Sequence, residues 1–466
     1  MKVEQLYTKC LAEAAYYIES NGEAAIIDPL RETEPYIELA EKNGAKIKYI
    51  FETHFHADFV SGHIDLAKKT GASIVYGPTA STSYDVIVAK DEEVFEIGAL
   101  KIKVLHTPGH TPESSTYLLI DEEGNEHAIF TGDTLFLGDV GRPDLAIKGD
   151  LTQEDLAGML FDSLRNRIMP LGDDIIVYPG HGAGSSCGKN MSSETVGTLG
   201  EQKQTNYALR ADMTKQEFIE ELTTGILPPP QYFPKNAMMN KEGYTSIDEV
   251  LTSGSKALSL EEFNAEVEKG ALILDVRTQF DFIEGFIKDS LFIGINGAFA
   301  MWVGALIEDI KQPIVLIAPE GKEEEAVLRL ARVGYDNTIG YLEGGVDTAK
   351  SGGLTIESLT SISAEELASN IDSFNVVDVR KPGEWDSSHL EVADHYPLDF
   401  INDNLEYLDK DATYHVHCAG GYRSVIAISI LLRQGYEAEN LIDVAGGYGA
   451  IKKTALPKLE AACANS

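Results

Sequence analysis

Up to about residue 210, short apolar runs alternate with stretches of helical periodicity. Leu6 to Ile27 reads as a hairpin about Asn21-Gly22, a strong turn pair. Asp28-Pro29 closes that unit, and Thr33 to Lys42 predicts a helix. Ile47-Lys48-Tyr49-Ile50-Phe51 predicts a buried strand, and Ile64 to Lys69 a helix after it. Further strands are expected at Ser73 to Tyr76, Leu100 to Leu105, Ser115 to Ile120, Ala128 to Phe130 and Ile175 to Tyr178. Several of these runs end in loops that carry His or Asp, which suits a two-sheet sandwich with its site along one rim. Residues 201–222 predict helix. Gly225 to Gly243 holds Pro228-Pro229-Pro230 and Pro234 and is expected to be a non-helical linker. Its Tyr232, Phe233, Met238 and Met239 should pack on the first domain.

An internal repeat follows the linker. Leu272-Ile273-Leu274-Asp275-Val276-Arg277 returns as Val376-Val377-Asp378-Val379-Arg380, Gly334-Tyr335 as Gly435-Tyr436, and Leu342-Glu343-Gly344-Gly345 as Val444-Ala445-Gly446-Gly447. Each copy runs strand, Asp-x-Arg turn, strand and helix, the pattern of a small α/β domain with a mainly parallel sheet. The fold class is therefore α/β multidomain. Expected boundaries are 1–225 for the sandwich, 226–255 for the linker, 256–355 for the first copy and 356–466 for the second.

Length and charge narrow the partners. A chain of 466 residues exceeds one core and implies about two to four domains. Its 38 basic against 75 acidic residues, net −37, argue against nucleic acid or an anionic membrane as partner. Cys10, Cys187, Cys418 and Cys463 form no close pairs, which fits a reducing compartment. Met1 to Tyr17 is charged throughout, so no secretory leader is expected, and no run has the length of a membrane span. A cytoplasmic protein is the expectation.

Candidate chemistry centres first on Glu52-Thr53-His54-Phe55-His56-Ala57-Asp58-Phe59. Two imidazoles and a carboxylate at alternate positions, at a strand-to-helix junction, point to a metal. The stretch resembles the His-x-His-x-Asp-His motif of the metallo-β-lactamase superfamily. His110, Asp133 and His181 lie in loops where that superfamily places further ligands. The resemblance implies an αββα sandwich. Phe59 stands where the motif's last histidine belongs, and a phenyl ring cannot ligate a metal. Asp58 and His181 would be left at the second position, too few to hold zinc well, so one metal is expected. Glu52 to Asp58, Thr107-Pro108-Gly109-His110-Thr111 and Thr131-Gly132-Asp133 resemble the persulfide dioxygenases, the mononuclear iron members. That resemblance implies one Fe(II) on His54, His110 and Asp133, with His56, Asp58 and His181 supporting it from outside the ligand set. It also implies Arg142 near a thiol substrate, although pairing with Asp139 or Asp144 is the alternative. Cys187, in Gly184-Ser185-Ser186-Cys187-Gly188-Lys189-Asn190, is either a buried packing residue or a persulfide acceptor.

The second site is Cys418-Ala419-Gly420-Gly421-Tyr422-Arg423-Ser424, between the strand Tyr414 to His417 and the helix Val425 to Leu432. A cysteine heading a loop that opens a helix gains thiolate stability from backbone N–H groups, here Ala419, Gly420, Gly421 and Tyr422, and from Arg423. This copy resembles the rhodaneses, with Glu384-Trp385 and Ser388-His389-Leu390 recognisable. Its loop is one residue shorter than that of the related phosphatases and so fits sulfur better than phosphate. Asp378 and Arg380 are expected to fix a turn. The first copy has no cysteine; its corresponding strand, Ile314 to Ala318, runs into Pro319-Glu320-Gly321-Lys322-Glu323-Glu324-Glu325, which would repel an anion. It is expected to be catalytically inactive, with a structural or assembly role that suggests a homo-oligomer.

As a whole the chain resembles a persulfide dioxygenase–rhodanese fusion. That implies a low-molecular-weight thiol persulfide, O₂ and sulfite as reactants, with thiosulfate formed at Cys418. The thiol carrier, whether glutathione, coenzyme A or bacillithiol, has no signature in the sequence. Two rivals are a glyoxalase II-like zinc thioester hydrolase with accessory rhodaneses, and a non-enzymatic sulfur carrier or sensor.

Overall fold

Strand Glu13–Ser20 sends alternate side chains to two different cores: Ala14, Tyr16 and Ile18 to one, Ala15 and Tyr17 to the other. Burial on both faces requires a layer on each side, which sets the architecture. In the computed structural model, which describes residues 1–146, 151–189 and 191–460, one sheet runs in spatial order Lys2–Thr8, Glu13–Ser20, Glu23–Ile27, Lys46–Glu52, Ser73–Tyr76 and Ile87–Val88. The other runs Gly197–Thr198, Ile176–Pro179, Glu126–Gly132, Ser115–Ile120, Leu100–His106 and Val94–Ile97. Tyr16, Phe51, Phe95, Tyr117 and Phe130 fill the space between the sheets. Helices Glu34–Lys42 and His63–Thr70 cover one outer face through Tyr36, Ala40 and Leu66. Gln153–Ser163 and Lys215–Thr223 cover the other through Leu160 and Phe218. The result is an αββα sandwich. Its hairpin pairs Ser20 with Glu23, and Asn21 and Gly22 both take positive φ, the turn that follows right-handed strand twist.

Contacts divide the chain into Met1–Asp248 with Leu330–Gly334, and Glu249–Arg329 with Tyr335–Ser466. Two expectations for the first unit change. Residues 201–222 are not one helix: Leu199–Thr205 ends at Asn206, whose amide donates to the Phe136 and Asp139 carbonyls, and Lys215–Thr223 starts afresh on a Thr214 cap. The proline-rich stretch also contains a helix, Phe233–Glu242, because Pro234 falls in its first turn, where a missing N–H breaks no helical bond. Tyr232 and Phe233 are buried, but Met238 is exposed.

The second unit contains both repeats apart from Leu330–Gly334. The strand order is Ala257–Leu258, Thr338–Leu342, Ile314–Ile317, Leu272–Asp275, Leu291–Phe292 in the first. In the second it is Ser361–Ile362, Leu441–Val444, Tyr414–His417, Asn375–Asp378, Ala393–His395, and both sheets are parallel throughout. The same clasp closes both. Arg277 chelates Asp275 and donates to the Gly285 carbonyl; Arg380 chelates Asp378 and donates to that of Ser388. Asn190 and Cys463 lie outside the described residues. Among those described, no helix is long and apolar enough to cross a membrane.

Candidate metal centre and sulfur-transfer loop

At the rim of the sandwich, strand ends and loops bring His54, His110 and Asp133 together, with ligand atoms within 4.8 Å of one another and all three buried. The tautomers follow from hydrogen-bond accounting. Asp28 accepts from Thr53 N–H at 2.7 Å and Thr53 Oγ1–H at 2.8 Å, so the Thr53 oxygen, 2.9 Å from His54 Nδ1, acts as an acceptor. His110 Nδ1 donates to the Arg142 carbonyl at 2.8 Å. Both rings then carry their lone pairs on Nε2, 3.9 Å and 3.5 Å from Asp133 Oδ2. Burial first, then His56 and His110, push His54 well below its ordinary pKa and keep it in the neutral, ligating form. Gly132 precedes Asp133 at φ +48°, and a Cβ there would sit 2.4 Å from Thr53 Oγ1.

Six buried polar atoms around this point have no hydrogen-bond partner: both Asp133 oxygens, Asp58 Oδ1, His181 Nε2 and both His56 nitrogens. Such convergence is costly in a folded protein without a cation, and the donor set fits a divalent metal. His181 Nδ1 donates to the Ala12 carbonyl at 3.2 Å, turning Nε2 toward Asp58 (3.4 Å) and Asp133 (3.6 Å). Burial alone would lower the His181 pKa, but Asp58 and Asp133 outweigh it and raise it. His56 Nε2 lies 3.1 Å from Asp28 Oδ1, and its ring meets that of fully buried Phe59 at 4.3 Å.

Beyond Asp58 and His181, the structure places further donors about the second position. His56, Asp58 and His181 form one three-donor set, and Asp133, His181 and Cys187 form another. Cys187 arrives through a loop contact that the sequence does not mark: its carbonyl accepts the Arg142 N–H at 3.0 Å. Burial, then the charges of Asp58 and Asp133, push its thiol well above the ordinary value, so it is protonated unless a cation offsets them. The Arg142 guanidinium is held by Asp144 (2.6 and 2.7 Å), Ser186 O (3.2 Å) and Leu227 O (2.5 Å). A residue missed from the sequence is Asn240, on helix Phe233–Glu242. Fully buried, it donates to the His56 and Phe59 carbonyls, both at 2.8 Å, and accepts from Ser61 N–H at 2.9 Å.

In the second unit, buried Cys418 ends strand Tyr414–His417, and its Sγ accepts the Gly421 N–H at 3.1 Å. Ser424 Oγ lies 3.8 Å from the sulfur and donates to Asp443 at 2.7 Å. Arg423 opens helix Arg423–Arg433 and forms a bidentate pair with Glu384 at 2.5 and 2.8 Å, a partner not anticipated. Arg423 holds the Glu384 carboxyl below the ordinary carboxylate range. Ala419 and Gly420 complete the turn at the surface. The Tyr422 hydroxyl donates to the Gly294 carbonyl of the first repeat at 2.7 Å. The corresponding loop of that repeat has no thiol and opens helix Glu323–Arg332 with three glutamates.

The metallo-β-lactamase superfamily model matches residues 8–181, and the rhodanese-like domain model matches 259–351 and 363–454. A crystal structure of a metallo-β-lactamase from Staphylococcus aureus is 33% identical, covers 73% of this chain and 98% of its own, and superposes with a TM-score of 0.64. The mitochondrial persulfide dioxygenase of Homo sapiens is 29% identical over 212 residues, 45% of this chain and 74% of its own length. A probable hydroxyacylglutathione hydrolase of Schizosaccharomyces pombe is 35% identical over 161 residues; these are 34% of this chain and 58% of that relative. The chain thus belongs to the metallo-β-lactamase superfamily through its N-terminal domain and carries two rhodanese-like domains after it.

Proposed function

We propose that the protein oxidises a low-molecular-weight thiol persulfide with O₂ and converts the product to thiosulfate. His54, His110 and Asp133 would hold one Fe(II), and the observation that carries this reading is their clustering beside a Phe59 that cannot ligate. Bound iron would supply the redox chemistry by which O₂ meets a closed-shell sulfur. The balance is R–S–SH + O₂ + H₂O → R–SH + SO₃²⁻ + 2H⁺. The protein's own part is to fix both imidazoles, through Thr53 and the Arg142 carbonyl, in the tautomer that presents Nε2, and to keep Asp133 free of competing hydrogen bonds.

At the second site the Cys418 thiolate attacks the outer sulfur of another persulfide, the S–S bond breaks, and R–S⁻ leaves. Sulfite then attacks the sulfur carried on Cys418, releasing thiosulfate and restoring the thiolate, with no net redox change. The Gly421 N–H steadies the sulfur, and Arg423, oriented by Glu384, offers charge to sulfite. One chain joining the two sites raises the local sulfite concentration at the second.

Zinc thioester hydrolysis is the second reading. It is favoured by the extra donors at Asp58, His181 and Cys187 and by the hydroxyacylglutathione hydrolase relatives. Oxygen uptake across glutathione, coenzyme A and bacillithiol persulfides, with metal analysis of the same sample, separates the two. The proposal expects iron near one per chain and uptake with at least one persulfide. About two zinc per chain with no uptake would overturn it.

A further inference from the structure

We infer that the cysteine-free rhodanese-like domain positions the Cys418 loop by clamping Tyr422. The inference rests on reading Cys418 as the sulfur-transfer nucleophile, and the residues it uses, Val276 to Arg329 and the Cys418 loop, lie in one unit of the fold. Tyr422 stands between Gly421, whose N–H reaches the sulfur, and Arg423, which opens the helix. Its side chain leaves its own domain. The hydroxyl donates to Gly294 O at 2.7 Å, and the ring meets Phe292 edge-on at 5.9 Å. A Cβ on Gly297 would fall 2.3 Å from Tyr422 Cζ and 2.7 Å from its Oη, so the seat exists only because residue 297 has no side chain. The seat is itself braced. Ile295 N–H donates to the Val276 carbonyl at 3.0 Å, and Arg329 Nη1 donates to the Ile295 carbonyl at 2.7 Å. A second tether lies about two turns further along the helix, where Ser429 Oγ accepts the Phe292 N–H at 3.0 Å.

The physical need is clear from the loop's composition. Gly420 and Gly421 leave the backbone free to move, yet its N–H groups must converge on an anion to within a fraction of an ångström. Fixing Tyr422 from outside removes that freedom. Its hydroxyl is engaged with Gly294, so the side chain acts as a positioning group and not as a substrate ligand.

The test uses the full chain carrying Gly297→Ala, Tyr422→Phe, Tyr422→Ala and the Gly297→Ala/Tyr422→Ala double variant. Iodoacetamide alkylation, followed at the Cys418 peptide against pH, reports the thiolate whatever the sulfur acceptor is. Gly297→Ala should move the alkylation midpoint upward by about half a unit or more and raise the KM for sulfite about tenfold. Tyr422→Phe, which keeps the ring, should move both in the same direction by less. The double variant should match Tyr422→Ala, since nothing remains to collide. An unchanged midpoint and KM in both Gly297→Ala and Tyr422→Phe would overturn the inference, as would Gly297→Ala and Tyr422→Ala effects that simply multiply. These alkylation shifts in the variants, together with a parent chain that makes no thiosulfate, would refute the proposed reaction and support the positioning role.

Discussion

At the scale of single residues, Phe59 and His63 make the sharpest tests. Phe59 is fully buried against the His56 ring, beside the donors Asp58 and His181. Phe59→His should raise metal content from about one toward about two per chain, counted by atomic emission, because it restores the missing imidazole. An unchanged count would show that geometry, and not the missing ligand, governs occupancy. His63 is fully buried, with Nε2 2.7 Å from the Tyr84 hydroxyl, and burial, then His56 and Arg31, lower its pKa from 6.5 to about 3. The unfolded chain therefore binds a proton between those values that the folded chain refuses. Stability from this group is full above pH 6.5 and is lost as pH falls, by about 1.4 kcal/mol per unit. His63→Gln should flatten the fall of Tm between pH 6.5 and 4.5, and a parallel fall in both proteins would refute the assignment. His54, His110 and Asp133 were legible because each sits in a short motif at the end of an apolar run. Asn240, Glu384 and Gly297 were not, because nothing near them in sequence marks the tertiary partner each one meets.

At the scale of elements, helix Phe233–Glu242 shows why part of the fold escaped the sequence. Four prolines in one stretch suggested a linker, yet Pro234 starts a helix that delivers Asn240 to the backbone of the histidine motif. Position within the helix, not the presence of proline, decides the outcome. Asn240→Ala would leave two buried carbonyls and the Ser61 N–H short of a partner, at a cost of about 2–4 kcal/mol. The expected result is a lower Tm and metal lost to a chelator about tenfold faster. A variant that lost stability but kept the parent's metal retention would confine the helix to a structural role. Several strands, by contrast, were legible nearly to the residue, among them Ser73–Tyr76, Ser115–Ile120 and Tyr414–His417, whereas Lys2–Thr8 and Val94–Ile97 were not. Unbroken apolar runs such as Ile314–Ile317 follow directly from the layers on both faces that each must bury against.

At the scale of the whole molecule, the proposed pairing of two reactions in one chain carries its own prediction. Cys418→Ser should consume O₂ at the parent rate while sulfite accumulates in place of thiosulfate, read by ion chromatography. Thiosulfate output equal to the parent's would sever the proposed coupling. What the primary structure hid at this scale was the contact between the repeats. The missing cysteine was plain, but the use made of the empty copy depends on Tyr422 reaching Gly294. The twin clasps, Asp275 with Arg277 and Asp378 with Arg380, have a consequence of a different kind. The same brace closes a domain with a loop cysteine and a domain without one, so the stabilising framework and the cysteine loop are separable modules. Protein engineers could exploit that modularity: grafting Cys-Ala-Gly-Gly-Tyr-Arg onto the end of Ile314–Ile317 asks whether a retired scaffold can be returned to chemical service.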